Sequence, residues 1–202
     1  ALETLIKNNI IVLAGEITTN ASVDFKRVAL GVLKELGYDK LDEFKFIVEI
    51  SKQSSDIALG VDVDGAGDQG IMYGYASNET QELMPLPIVL ARRIAIKMDE
   101  LTRPIRDIFG ADGKCQVSVE YDDFDNPVRV TTIVVSQQTK PDLCRNFYTS
   151  FILNECIAKV IPSELIDSET VVLINPTGEF VKGGAYADSG LTGRKIICDT
   201  YG

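Results

Sequence analysis

Histidine and tryptophan are both absent from this chain of 202 residues. Without histidine there is no Ser-His-Asp or Cys-His constellation, no histidine general base and no ordinary zinc site. Cysteine is scarce: Cys115, Cys144, Cys156 and Cys198 lie far apart and form no C-x-x-C pair. That excludes zinc ribbons and thioredoxin-like redox centres. Each sits in an apolar stretch, and the four read as reduced core thiols of a cytosolic protein. No apolar run approaches the ~20 residues of a membrane-crossing helix. Residues 1–14 lack the basic start and the cleavage site of a signal peptide. Positive charge is in deficit, 20 basic against 30 acidic side chains, for a net charge of −10. This balance speaks against nonspecific binding to nucleic acid or to an anionic membrane.

Apolar residues make up 45% of the chain, enough for one globular core or two small ones. Ile10–Leu13 is a continuous apolar run closed by Ala14-Gly15, which predicts a buried strand. The residues before it, from Ala1, already look like a strand. Asn20 or Ser22 is the expected cap of a helix over about Val23–Leu36, with Val28, Val32, Leu33 and Leu36 on its buried face and Gly37 ending it. Phe44, Phe46, Val48 and Ile50 alternate with Lys45, Ile47 and Glu49, which predicts a strand with one well-defined core face. Residues 51–70 are rich in Gly, Asp and Ser without periodicity and predict a long loop. A strand is expected over Ile71–Ala76. Pro85 and Pro87 precede a helix over about Ile88–Leu101, and residues 102–113 read as a loop. Gln116–Tyr121 and Val128–Ser136 flank DDFDNP as an antiparallel hairpin. A helix is expected over Leu143–Ile161, a strand over Thr170–Ile174, a turn at Asn175-Pro-Thr-Gly178, a second glycine-rich loop over 181–195 and a final strand over Lys195–Asp199. Hairpins mixed with helices predict α+β layers, and the pattern occurs about twice, as in two related units.

Chemistry-bearing residues concentrate in the two loops. Asp56, Asp62, Asp64 and Asp68 lie among Gly60, Gly65, Gly67 and Gly70. The carboxylates suit a metal or a cationic ligand, although the spacing matches neither an EF-hand nor a Walker A loop; a plain solvated loop has the same composition. In Gly190-Leu-Thr-Gly-Arg-Lys195, two glycines precede Arg194 and Lys195, a pattern that can hold a phosphate chain. The alternative is a tight turn with exposed bases, and Asp188 beside it could be a surface ion-pair partner. Glu16 at a strand end and Lys114 at a strand start are equally consistent with solvated edge charges.

Several segments occur together in a fixed order: Gly15-Glu-Ile-Thr-Thr19, Lys52-Gln-Ser-Ser-Asp-Ile57, Gly65-Ala-Gly-Asp-Gln-Gly70, Asn78-Glu-Thr80 with Met84-Pro85, Ile174-Asn-Pro-Thr-Gly178 and Gly190-Leu-Thr-Gly-Arg-Lys-Ile196. With them the chain resembles the methionine adenosyltransferase (S-adenosylmethionine synthase) family from about Glu3 to Gly202. The resemblance implies attack of methionine sulfur on C5′ of ATP, loss of the triphosphate and its cleavage to phosphate and pyrophosphate, with Mg²⁺ and K⁺ assisting. It implies that Glu16 and Gln53 hold methionine, and that Gln53–Asp62 is a mobile gating loop. Asp68 would contact nucleoside and methionine, Asp112 and Lys114 the nucleotide, and Glu179 and Phe180 the adenine side. Asp188 would touch both substrates, Arg194 and Lys195 would face ribose and polyphosphate, and Glu3 would bind K⁺. With no strong base implied, catalysis would rest on positioning and electrostatics.

The implied fold is α+β: two-layer units of mixed or antiparallel sheet with helices on one face, two of three pseudo-threefold repeats. On that pattern 1–64 with 181–202 is a central-type unit, 65–87 a connecting segment and 88–180 an N-terminal-type unit, the third domain being absent. The family's G-H-P-D-K segment and later glycine-rich lysine loop have no counterpart. The chain is therefore expected to be part of a longer enzyme, inactive alone. It is also expected to be cytoplasmic, to pair into a homodimer or tetramer with shared active sites, and to bury a flat apolar sheet face there. Glu179 stands where the family usually has a basic residue, and Ala185-Tyr-Ala187 replaces a usual Gly-Pro-x-Gly. The missing G-H-P-D-K segment and Glu179 support a rival reading, a truncated non-catalytic paralogue that binds nucleotide or pairs with a full subunit.

Overall fold

A β-pattern becomes a strand only where a second backbone pairs with it, because buried N–H and C=O groups need partners. The computed structural model describes residues 1–62 and 64–202; Val63, within the predicted first loop, lies outside them. In chain order the elements are β1 (Leu2–Lys7), β2 (Ile10–Glu16), α1 (Phe25–Glu35), β3 (Lys45–Ser51), α2 (Ser55–Val61), α3 (Leu86–Thr102), β4 (Phe109–Tyr121) and β5 (Pro127–Thr139). There follow α4 (Arg145–Phe151), a π-helical stretch (Ile152–Ile157), α5 (Ala158–Val160), β6 (Val171–Ile174), β7 (Gly190–Leu191) and α6 (Ile196–Asp199). The chain divides into two compact units: Ala1–Tyr75 with Ala185–Arg194, and Ala76–Gly184 with Lys195–Gly202.

The first unit is built on a hairpin. β1 and β2 pair antiparallel with Leu2 opposite Gly15 and Lys7 opposite Ile10. Asn8, in the turn, takes φ 51°, a left-handed conformation that asparagine tolerates. α1 carries the chain over to β3, which lies parallel to β2, and β7 adds to the free edge of β1. The sheet order is β3-β2-β1-β7. Ile11 and Leu13 of β2 point to the α1 side and form a small core with Leu33 and Phe44. Gly15 closes β2 at φ +140°, where a Cβ would lie 2.0 Å from the Ala1 carbonyl oxygen; glycine is required there.

The second unit repeats the motif. β4 and β5 form a long antiparallel hairpin, the α4–α5 helical run crosses over, and β6 returns parallel to β5 in the order β4-β5-β6. α3 precedes the hairpin and contributes Leu90, Ile94 and Met98 to the core. Phe109 and Val117 come from β4, Val130, Ile133 and Val135 from β5, and Tyr148, Ile152, Cys156 and Ile157 from the crossover. The Phe109 and Phe151 rings stack at 5.4 Å. Both units are therefore mixed sheets with helices, the α+β arrangement expected from the sequence, and both run hairpin, crossover helix, parallel strand.

Local departures have physical reasons. α1 is capped by Asp24, whose carboxylate accepts the Arg27 amide at 2.9 Å, not by Asn20 or Ser22. Its buried stripe is Leu30–Leu33, while Val28 and Val32 are more than half exposed. Both stripes obey the helical period, and the sheet selected one of them. Within the predicted 51–70 loop, Ser54 caps α2 by accepting the Asp56 amide at 3.2 Å. The expected Ile71–Ala76 strand has no regular structure, and Met72 and Tyr73 are 88% and 93% exposed; no described strand edge pairs with it. β4 begins at Phe109, inside the predicted 102–113 loop. The expected final strand is the short helix α6, whose last carbonyls at Cys198 and Thr200 accept from the Arg92 guanidinium at 2.7 and 3.1 Å. A helix supplies its own backbone bonds where a strand would lack a neighbour. All four cysteines are unpaired thiols. Cys156 is buried and Cys115 half-buried, but Cys144 and Cys198 are exposed and belong to no core. Among the described residues no helix is long and apolar enough to cross a membrane.

Candidate functional site

In the first unit the candidate residues gather around β1, β2 and the segment 185–194. Glu16 ends β2 next to Gly15. Glu3, on β1, accepts a hydrogen bond from the Thr192 hydroxyl. The same hydroxyl accepts the Thr4 amide at 3.0 Å, and the Thr192 amide donates to the Thr4 carbonyl at 3.0 Å. Thr192 thus locks the end of β7 onto β1 and brings Arg194 to a fixed exit point. Asp188 precedes β7; its carboxylate accepts the neighbouring Ser189 amide at 2.7 Å. Among the described residues no ion pair joins Asp188 to Arg194 or Lys195, so the surface-pair alternative is not what the fold builds. Arg194 is exposed.

Gln53 lies half-buried just after β3. Asp68 is exposed, and its carboxylate turns back to the Gln69 amide at 2.7 Å. The segment Gln53–Asp62, expected as a loop, is mostly α2.

In the second unit the start of β4 is knitted to the chain after β6. The Asp112 carboxylate accepts the Gly184 amide at 2.8 Å. Gln138 reaches both sides: its carbonyl accepts the Asp112 amide at 3.3 Å and its amide donates to the Val181 carbonyl at 2.9 Å. Gly183 passes so close that a Cβ there would meet Asp112 and Gln138 at 2.8 Å. The Phe180 carbonyl accepts the Thr139 amide at 2.8 Å, and the Lys114 ammonium lies over the Phe180 ring, 5.8 Å from its centre. An exposed cation next to a partly open aromatic face suits an anionic ligand that carries a ring. Glu179 is exposed beside Phe180, and Lys195 is exposed just before α6.

Asn175, read from sequence only as part of a turn, is a structural hub. It is 1% exposed, its carbonyl accepts the Gln137 amide at 2.9 Å, and its amide donates to the Gln137 carbonyl at 3.1 Å. It takes φ 42°. Gln138 and Asn175 were legible only as an amide two residues before Lys140 and an Asn-Pro at a strand end. A cavity of about 70 Å³ under α3 is lined by Thr102, Arg106, Lys114, Cys115 and Gln137 among others. It has room for water, not for a nucleotide.

Among the described residues no group of three or more Cys, Asp or Glu side chains could hold a metal ion. Glu3, expected on K⁺, is engaged by Thr192. The described residues thus gather no carboxylate cluster of the kind that binds Mg²⁺.

Comparison with known proteins gives concordant results. Residues 63–180 match the family model described as S-adenosylmethionine synthetase, central domain; this range includes the 88–180 stretch that the sequence reading assigned to an N-terminal-type unit. The chain is 44% identical, over an alignment of 225 positions, to a curated S-adenosylmethionine synthase of Petrotoga mobilis (strain DSM 10674 / SJ95). That alignment covers all of this chain and 56% of the relative, so the chain spans little more than half the length of the protein it matches.

Proposed function

This chain belongs to the S-adenosylmethionine synthetase family, and from that premise we propose that it is part of an enzyme joining ATP and methionine. Methionine sulfur forms a bond to C5′ of ATP, and the bond from C5′ to the triphosphate oxygen breaks. The triphosphate leaves, and a water molecule then adds to one of its phosphorus atoms as a P–O–P bond breaks, giving phosphate and pyrophosphate. The observation that carries this reading is the Asp112–Gly184, Lys114–Phe180 arrangement in the second unit. It presents a ring face and a cation at one place, as an adenine nucleotide requires.

The proposed roles carry over from the family resemblance, and for the charged residues they agree with the charge of each reactant. Lys114, Arg194 and Lys195 face the polyphosphate, whose negative charge grows as it leaves. Glu16, Asp68 and Asp188 face the ammonium group of methionine and the sulfonium product. Gln53 binds methionine, and Phe180, with Glu179 beside it, lies on the adenine. The attacking thioether sulfur carries no proton, so this step needs no base, and catalysis would rest on holding the reactants in line. When bound, Mg²⁺ would neutralise the triphosphate, and K⁺, expected at Glu3, would add positive charge nearby; their remaining ligands would come from outside the described residues.

A homodimer or tetramer with shared active sites belongs to the same proposal, as does a cytoplasmic location. Supporting the first is the face of the first sheet opposite α1. The register aligns Leu191, Leu5, Val12 and Ile47 across all four strands. Ile47 is 51% exposed and Leu191 39%, and such a stripe is suited to burial against a partner.

The test is phosphate release from ATP plus methionine by a full-length protein carrying this segment. Activity is expected there, and Lys195→Ala is expected to reduce turnover by about 10²-fold, the usual scale for one preorganised charge contact. Wild-type turnover in that variant would remove Lys195 from the site. The 202-residue chain alone is expected to be inactive; turnover by it would overturn the view that further segments are needed. Nucleotide binding without any turnover in the full-length protein would favour the non-catalytic module, to which Glu179 already lends some support.

A further inference from the structure

The span carrying Asp188 is closed at both ends, and the two closures differ. At its far end β7 and Thr192 tie it to β1 through backbone pairing. At its near end everything converges on Ala185, which is 4% exposed. The Ala185 carbonyl accepts the Asn8 amide at 2.8 Å, and the Ala185 amide donates to the Tyr38 phenol oxygen at 2.9 Å. The next ring, Tyr186, lies 5.9 Å from the Tyr38 ring. Only Tyr186–Ser189 remain between the two closures, and Asp188 is in that span.

Tyr38 is itself held firmly. It follows Gly37, which takes φ 81°, and its amide donates to the Leu33 carbonyl at 3.0 Å, a glycine-dependent helix ending. Its ring stands edge-on to Phe44 at 6.0 Å, within the small core of the unit. The phenol oxygen is therefore an acceptor held against the core of the first unit and bonded to the amide that starts the Asp188 span.

We propose that Tyr38 is a positioning residue for Asp188. It fixes the near end of the span, and through it the angle at which the Asp188 carboxylate is presented to substrate. The proposal rests on the adenosyl-transfer reading above, in which Asp188 touches both ATP and methionine. Phenylalanine at position 38 keeps the ring and its packing on Phe44 but removes the acceptor. The buried Ala185 amide then loses its partner, and the span gains freedom.

The experiment uses the full-length enzyme and the cycle of Tyr38→Phe with Asp188→Asn. Tyr38→Phe alone is expected to lower kcat/KM about tenfold for both substrates, the equivalent of 1.4 kcal/mol. In the Asp188→Asn background the same substitution is expected to change kcat/KM less than twofold, because its effect passes through a carboxylate already gone. A merely structural role would make the two effects additive; additivity, or no effect of Tyr38→Phe alone, overturns the proposal. Amide hydrogen exchange over Ala185–Ser189 gives a readout independent of the reaction, with exchange in Tyr38→Phe expected to be about tenfold faster. Unchanged exchange removes the anchor. Faster exchange in a full-length protein that transfers no adenosyl group would leave the anchor in place and overturn the functional reading instead.

Discussion

Both units follow the order hairpin, crossover helix, parallel strand, yet one gathers fourteen buried residues into its core and the other only four among the described residues. The difference lies in helical cover. The second unit has α3 and the α4–α5 run over one sheet, whereas the first has α1 alone over a sheet whose other face presents Leu5, Val12 and Ile47. Six of the expected site residues, Glu3, Glu16, Gln53, Asp68, Asp188 and Arg194, lie in the thinly packed unit. Burial contributes little to holding them. What holds the 185–194 segment is directional: β7 pairing, the Thr192 bonds and the Tyr38–Ala185 bond. A segment held by single hydrogen bonds depends on each of them, whereas a packed core spreads its support over many contacts.

The comparison can be broken most severely through Phe109. It is fully buried and stacked on Phe151, so Phe109→Ala should cost about 3–5 kcal/mol. In urea titrations followed by circular dichroism the loss should fall on the transition of the second unit, while Leu13→Ala should move that of the first. A single transition shifted by both substitutions would mean that the units unfold as one, and the contrast drawn from their cores would fail.

Asn175→Ala tests a polar element of the thick core. It leaves the Gln137 amide and carbonyl without their partners and should cost about 1–3 kcal/mol. Hydrogen exchange at Gln137 should accelerate accordingly, with β1 and β2 unaffected. Retained protection at Gln137 would show that Asn175 is not the hub its geometry describes.

The smallest effect concerns alkaline pH. Burial pushes the Cys115 thiol up to about 11 from an ordinary 9.0; its Sγ donates to the Ala91 carbonyl at 2.9 Å. Burial likewise pushes Cys156 up to about 12. Above pH 9 the unfolded thiols lose their protons while the folded ones keep them, so the folded state binds more protons and stability falls as pH rises. The second unit should therefore weaken between pH 9 and about 11, and Cys115→Ala should flatten part of that slope in urea midpoints. The first unit contains no cysteine and should lack this contribution. An identical slope in the variant would remove Cys115 as a cause.

Much of the architecture was legible in residue patterns. The alternation around DDFDNP located the β4–β5 hairpin, the Ile94–Met98 spacing located α3, and the doubled order of elements pointed to two related units. The ordered motifs GAGDQG, NPTG and GLTGRK led to the family. Boundaries and exposure were less legible. Val28, Val32 and Leu36 obey the helical period as well as Leu30 and Leu33 do, so periodicity could not tell which stripe meets the sheet. Ile71–Ala76 and Ile196–Asp199 have strand composition, but a strand also needs a partner edge, and composition carries no information about that. The Tyr38–Ala185 bond joins residues 147 positions apart, and Thr192–Glu3 joins residues 189 apart. Residue types and their local periods account for the β1–β2 and β4–β5 strands, for α1 and α3, and for which loops carry charge. Only the tertiary structure decided which faces are buried, which strands pair and which side chains hold the candidate site. Those outcomes depend on contacts between distant parts of the chain, where geometry selects among local options that are nearly equal in energy.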